Sequence, residues 1–202
     1  HVVTEAGGQA VNAARQAATL DDDTLLAGHL DHPIFEFDFE PASMGSPARV
    51  RVCLFEADHV MFVEESADLA DWAFADLRDA VDVDAFLERD ALCCTNWASV
   101  PGLGAALREV AAYDPDGGVL CVDPGPLSTP QAGDLLGALE PLGSAYDVVV
   151  SVNDDEARAL AAAAGKTIDG DATGDVLGDL RAAADATGVV VHGADAAVAS
   201  TP

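Results

Sequence analysis

The chain has 202 residues, 36 Asp and Glu against nine Lys and Arg, and a formal net charge of −27. Half of it is apolar, which suffices for a sizeable core and excludes a disordered acidic tail. A surface this negative repels phosphate backbones and argues against nucleic-acid partners, and no apolar run reaches the roughly 18–20 residues that span a bilayer.

The first residue is His1 rather than Met, and no basic–apolar–small signal segment precedes the fold, so the expectation is a clipped start. After Gly7-Gly8, residues 9–19 (QAVNAARQAAT) predict an Ala-rich helix, and 24–28 a short apolar strand. Residues 33–40 (PIFEFDFE), 48–56 (ARVRVCLFE) and 59–64 (HVMFVE) alternate apolar and polar positions, as half-buried strands do. With turn-like Pro41, Gly45, Pro47 and Asp58 between them, they predict a three-stranded antiparallel meander, one face covered and one wet. From about residue 67 the period becomes helical. The expected order is helix 67–80, strand 91–96, helix 101–112, strand 118–122, helix 130–140, strand 147–152, helix 154–164, helix 173–186 and strand 188–192. VLCV, YDVVVSV and GVVVH are unbroken apolar runs, the mark of parallel strands covered on both faces. The fold class is therefore α/β: a layered domain with a mainly parallel sheet and right-handed crossovers, residues 1–30 and 66–202, into which 31–65 is inserted as a small antiparallel β element. Only the polar stretch 166–172 interrupts this texture.

Lys166 is the only lysine, while acids are spread along the whole chain. An even acidic coat of this kind matches the haloarchaeal proteome style, and it predicts stability that rises with salt, because screening relieves carboxylate repulsion. The cysteines are Cys53, Cys93, Cys94 and Cys121. Adjacent Cys93 and Cys94 point to opposite strand faces and make a poor metal pair, and no CxxC spacing occurs, so a reduced, cytoplasmic protein is expected.

In open α/β sheets ligands sit beyond the carboxyl ends of the strands. Two such ends are polar here: Asp123-Pro-Gly-Pro, and Ser151-Val-Asn153-Asp-Asp-Glu156, which also opens a helix. Asn, Asp and Glu in a first turn serve as cap and dipole partners. Alternatively Asn153 and Glu156, three apart on one face, hold a hydrated Mg²⁺ beside phosphates. Gly7-Gly8 with Asn12 suits close approach of a polyhydroxyl ligand, although a Gly pair before a helix is also plain punctuation. Asn96, at a strand end, is placed for ligand contact. Gly165-Lys166-Thr167 fails as a phosphate loop, since Leu160 stands where the earlier glycine is needed; Gly165 reads as a helix C-cap. His29 and His32 flank Asp31 and read as solvated loop residues rather than ligands, and Trp72 and Trp97 as packing residues.

These pieces, in this order, resemble the ribokinase-like (PfkB-type) carbohydrate kinases over essentially the whole chain. Gly7-Gly8-x-x-x-Asn12-x-Ala14 resembles the GGxxxNxA signature, and Asn153-x-x-Glu156-Ala157 is similar to the NxxEA segment. Gly188-Val-Val-Val-His-Gly193-Ala-Asp-Ala resembles the later strand with its nucleotide-side turn, and the inserted β element looks like the lid. Residues 32–37 and 191–193, with Ala199-Ser-Thr201, also look like stretches of archaeal ADP-dependent sugar kinases. The resemblance implies a sugar kinase using Mg²⁺ with ATP or ADP. Gly7, Gly8, Asn12 and Asn96 would contact the sugar, Asn153 and Gly193 the nucleotide, and Glu156 the metal. The family's GxGD segment with its catalytic base is absent from the 202 residues, the first family strand would precede His1, and Val191 stands where many members have Thr. The expectation is a kinase represented without both chain ends, inactive alone. The alternative is a non-catalytic sugar- or nucleoside-binding relative. Either way the partner is a small molecule, with a homodimer through the lid as a further possibility.

Overall fold

The computed structural model describes residues 2–56, 58–168, 174–193 and 196–202. The chain divides into two compact units, His1–Val81 and Asp82–Pro202.

The first unit opens with α1, Gln9–Thr19, as the sequence predicts. Its apolar positions Val11 and Ala14, one turn apart, are buried with Ala6 and with Leu26 of β1, Leu25–Gly28. The predicted strand 33–40 does not form. Instead Ile34, Phe35, Phe37 and Phe39 pack irregularly against this α1 cluster, with Phe37 and Phe39 stacked at 4.6 Å. The Arg15 guanidinium caps the Phe37 ring at 5.5 Å from its centroid. The alternation thus records which side chains reach a helix, not a ladder. The ladder comes later, at β2, Glu40–Ser43, which runs parallel to β1 and tolerates Pro41 because it is an edge strand.

The other two expected strands do form an antiparallel pair, β3, Arg49–Leu54, and β4, His59–Glu64, in register from Arg49 opposite Glu64 to Leu54 opposite His59. The meander is thus a two-stranded hairpin, and every one of its strand residues is exposed, where one covered face was expected. The expected helix 67–80 breaks into a 3₁₀ turn, Ala67–Leu69, and α2, Phe74–Ala80. Ser66 caps the turn, and Asp76 restarts the helix by accepting the Ala73 N–H at 2.8 Å.

The second unit follows the sequence closely: α3 (Val83–Leu87), β5 (Ala91–Thr95), α4 (Leu103–Tyr113), β6 (Val119–Asp123), α5 (Thr129–Leu139), β7 (Asp147–Asn153), α6 (Asp154–Ala163), α7 (Gly174–Ala183) and β8 (Gly188–His192). Thr173, the expected start of α7, and residues 169–172 of the polar stretch lie outside the described residues. The last strand, β9 (Ala197–Ser200), is unpredicted and pairs antiparallel to β8. The sheet order is β5-β6-β7-β8-β9, the first four parallel. Because each parallel strand adds on the same side of its predecessor, right-handed crossovers place their helices on one face. Accordingly α4, α5 and α6 lie side by side, and α6 and α7 pack on β7 and β8. That face holds Leu120, Val122, Val148, Val150, Val152, Val189 and Val191, all fully buried. The alternate residues Cys121, Val149, Ser151 and Val190 are only half-buried, so within this unit the apolar runs are covered on one face rather than both.

Gly165 ends α6 as expected. Its φ of +71° is left-handed, and the Gly165 and Lys166 N–H groups donate back to Ala162 and Ala161. Lys166 pairs with Asp179 at 3.0 Å.

Candidate functional site

The carboxyl end of the sheet in the second unit collects polar side chains for a reason of register. Thr95 stands opposite Asp123, and Asn153 opposite His192. Strand periodicity puts Thr95, Asp123, Ser151, Asn153 and His192 on the sheet face away from α4–α6, each near the end of its strand. Asp123 Oδ1 accepts the Gly125 N–H at 3.4 Å. Asn96 follows β5 in a left-handed conformation, φ 62°, held by its N–H to the Asp123 carbonyl at 3.0 Å. Its side chain is exposed there, facing Gly125.

Asn153 and Glu156 form a reciprocal cap on α6. Asn153 Oδ1 accepts the N–H groups of Asp155 and Glu156 at 2.9 and 3.0 Å. Glu156 returns both oxygens: Oε2 accepts the Asn153 N–H at 2.9 Å and Oε1 accepts Asn153 Nδ2 at 2.8 Å. Glu156 is only 5% exposed, so the box is closed to solvent on its inner side.

In front of the cap lies an open concavity of about 470 Å³ lined by Asn153, Asp154, Asp155, Arg158, His192 and Gly193. Arg158 reaches Asp155 at 3.1 Å, and Asp154 lies beside Gly193, whose N–H closes a turn on Ala196 at 2.8 Å. Ala194 and Asp195, the remainder of the motif expected near the nucleotide, lie outside the described residues. Asn153, Glu156 and Gly193, singled out from the sequence, are thus gathered at one place. Asp154 and Asp155, part of the polar strand end noted in the sequence, line the same concavity; Arg158 and His192 join them and were not singled out, the signal available for His192 being a polar residue ending an apolar run. Gly7, Gly8 and Asn12 belong to the first unit, all exposed at the start of α1, with Gly8 at φ +107° and no side chain capping the helix. Among the described residues no group of three or more His, Cys, Asp or Glu side chains could hold a metal ion by itself.

No protein-family model and no curated protein matches the chain. Its fold is similar to that of an uncharacterized sugar kinase from Pyrococcus horikoshii, with a TM-score of 0.57 and 13% identity over 96% of this chain and 64% of that one. Two structures of pyridoxal kinase from Staphylococcus aureus, one with pyridoxal and one with ADP, match at TM-scores of 0.44 and 0.43, with 12% and 13% identity, over 81% and 76% of this chain. The chain spans 64%, 58% and 52% of these three in turn. The likeness to the sugar kinase is one of fold. It agrees with the α/β class, the mainly parallel sheet and the small antiparallel element expected from the sequence.

Proposed function

We propose that the chain is part of a small-molecule kinase of the ribokinase-like kind, transferring a phosphoryl group from a Mg²⁺-nucleotide to a hydroxyl of a sugar or nucleoside. The observation that carries this reading is the likeness in fold to a sugar kinase over nearly the whole chain. The capped, polar carboxyl end of the sheet supports it, because ligands of such sheets bind there. In this reading Asn153, His192 and Gly193 border the nucleotide, while Gly7, Gly8, Asn12 and Asn96 are assigned to the sugar. Both oxygens of Glu156 are engaged and its exposure is small, so it fits a metal ion through bound water rather than as a direct ligand. A bound divalent ion would supply charge neutralisation for the phosphates; this chain's own part is to orient them. Among the described residues no helix is long and apolar enough to cross a membrane, and a cytoplasmic location belongs to the same reading. The β3–β4 hairpin would serve as the lid. Val50, Val52, Leu54, Met61 and Val63 share one of its faces by register, a surface a second copy could cover.

The test is phosphoryl transfer by the intact gene product in molar KCl, with ATP and ADP against a panel of sugars and nucleosides. Nucleotide consumption only when an acceptor is present is the expected result, and Glu156→Ala should lower turnover per folded molecule. Calorimetry should show nucleotide binding that requires a divalent ion. Neither transfer nor binding in any combination refutes the reading. Binding without transfer would instead favour the non-catalytic alternative.

A further inference from the structure

Cys93 and Cys121 are register partners in the parallel pair β5–β6, on the sheet face away from the helical layer. Neighbouring strands lie about 4.8 Å apart, which puts the two Cα atoms inside the roughly 4.4–6.8 Å span that a disulfide bridges. Both residues keep solvent access, Cys93 exposed and Cys121 half-buried, and both are free thiols. Cys94 points to the opposite face, and Cys53 is on the exposed β3 of the other unit. The two thiols face each other across the pair, and sharing a proton between them lowers the Cys121 thiol below its ordinary range, while the second proton is held more tightly, first by the same sharing and then by burial. A thiol lowered in this way beside a second thiol is suited to exchange.

We infer that Cys93 and Cys121 are a redox-active dithiol that closes to a reversible disulfide by exchange with a low-molecular-weight disulfide. The Cys121 thiolate attacks one sulfur of the small disulfide R–S–S–R; that bond breaks, R–S⁻ leaves, and a mixed disulfide forms on Cys121. Cys93, giving its proton to solvent, then attacks the Cys121 sulfur and releases the second R–S⁻. Two protein thiols are oxidised and one small disulfide is reduced to two thiols. Parallel register keeps the two Cβ atoms near the strand spacing, beyond the mean of about 3.8 Å in disulfides, so closure must pull β5 inward. As the edge strand of its sheet, β5 can move. The resulting strain makes the bond easy to reduce, which suits a switch better than a staple. Because Asn96 and Asp123 are bonded to each other just beyond this pair, the cross-link would act on the carboxyl end of the sheet.

The experiment equilibrates the chain anaerobically in reduced and oxidised glutathione at graded ratios, quenches with acid, and counts free thiols by maleimide mass-tagging with peptide mapping. Reduced protein should carry four tags and oxidised protein two, with Cys93 and Cys121 joined in one cross-linked peptide. Closure should persist in Cys53→Ser and Cys94→Ser. In Cys93→Ser or Cys93→Ala a glutathione adduct should instead accumulate on Cys121. Four tags at the most oxidising ratio overturn the inference. So do adducts on both cysteines that never close, a Cys93–Cys94 link, or cross-links through Cys53 alone. Equal closure in urea-unfolded chain at the same ratio would also overturn it, since the native register would then contribute nothing.

Discussion

Replacing Asn153 by Ala is the sharpest probe of the cap that organises the carboxyl end of β7. The change deletes two acceptor contacts, to the N–H groups of Asp155 and Glu156, and the Nδ2 donor to Glu156 Oε1. Losing the N-cap costs about 1 kcal/mol. Removing one donor from a carboxylate that is only 5% exposed adds about 1.5–3 kcal/mol, since the charge stays buried with half its partners. The expected total is about 2.5–4 kcal/mol, read as a drop in urea midpoint at unchanged slope by far-ultraviolet circular dichroism in fixed salt. Asn153→Asp separates the two contributions. It keeps the cap acceptors but sets a second carboxylate where a donor faced Oε1 across 2.8 Å, so its deficit should be comparable although the cap is retained. A deficit for Asn153→Ala within about 0.5 kcal/mol of zero would refute the reasoning. Glu156→Ala breaks the same box, so its activity has meaning only when corrected for the folded fraction.

Three further outcomes follow from the packing. Tyr146 donates its buried hydroxyl to the Leu87 carbonyl at 2.8 Å, and burial raises the phenol to about 12; Tyr146→Phe should cost about 1–3 kcal/mol by orphaning that carbonyl, and Gly117→Ala a similar amount because its Cβ would enter the Tyr146 ring. His29 has a buried, unpartnered Nε2, and burial lowers its pKa below 6.5 against the pull of Asp68 and Asp76. The unfolded chain therefore takes the proton first: the stability at stake is whole above about pH 6.5 and is lost as pH falls through the lower folded value, so the wild type should lose stability relative to His29→Leu between pH 7.5 and 5. With a net charge of −27, the thermal midpoint should rise from low salt to molar KCl, and a flat or falling midpoint would remove the argument from carboxylate repulsion.

The second unit was legible because its residues obey one rule at a time. Apolar runs such as VLCV and GVVVH lie on strands, Ala- and Leu-rich stretches on helices, and the caps at Asn153 and Gly165 stand where residue chemistry requires them. The first unit misled because Phe35, Phe37 and Phe39 alternate like a strand while packing onto α1, and periodicity records burial without naming what does the burying. Register was the other hidden quantity. Thr95 and Asp123, or Cys93 and Cys121, are far apart in the chain and become neighbours only when β5 and β6 pair. The adjacent Cys93 and Cys94 drew notice in the sequence, whereas the sheet separates them and joins Cys93 to a different partner.

The side chains around the concavity before α6 bear on which ligand the proposed function would place there. A helix N-terminus ordinarily attracts an anion through free N–H groups and the dipole. Here the N–H groups of Asp155 and Glu156 are already spent on Asn153, and Asp154, Asp155 and Glu156 occupy the first turn. Arg158 contributes one cationic group, itself drawn to Asp155. A bare phosphate would therefore meet carboxylates and few donors. A phosphate arriving with a hydrated divalent cation would meet the opposite: acceptors for the ion's waters at Asp154 and Asp155, and Arg158, Asn153 and His192 for the phosphate oxygens. On the proposed function, the local acidity that would repel a nucleotide alone would favour its metal complex, and that is why the calorimetric test expects a divalent-ion requirement.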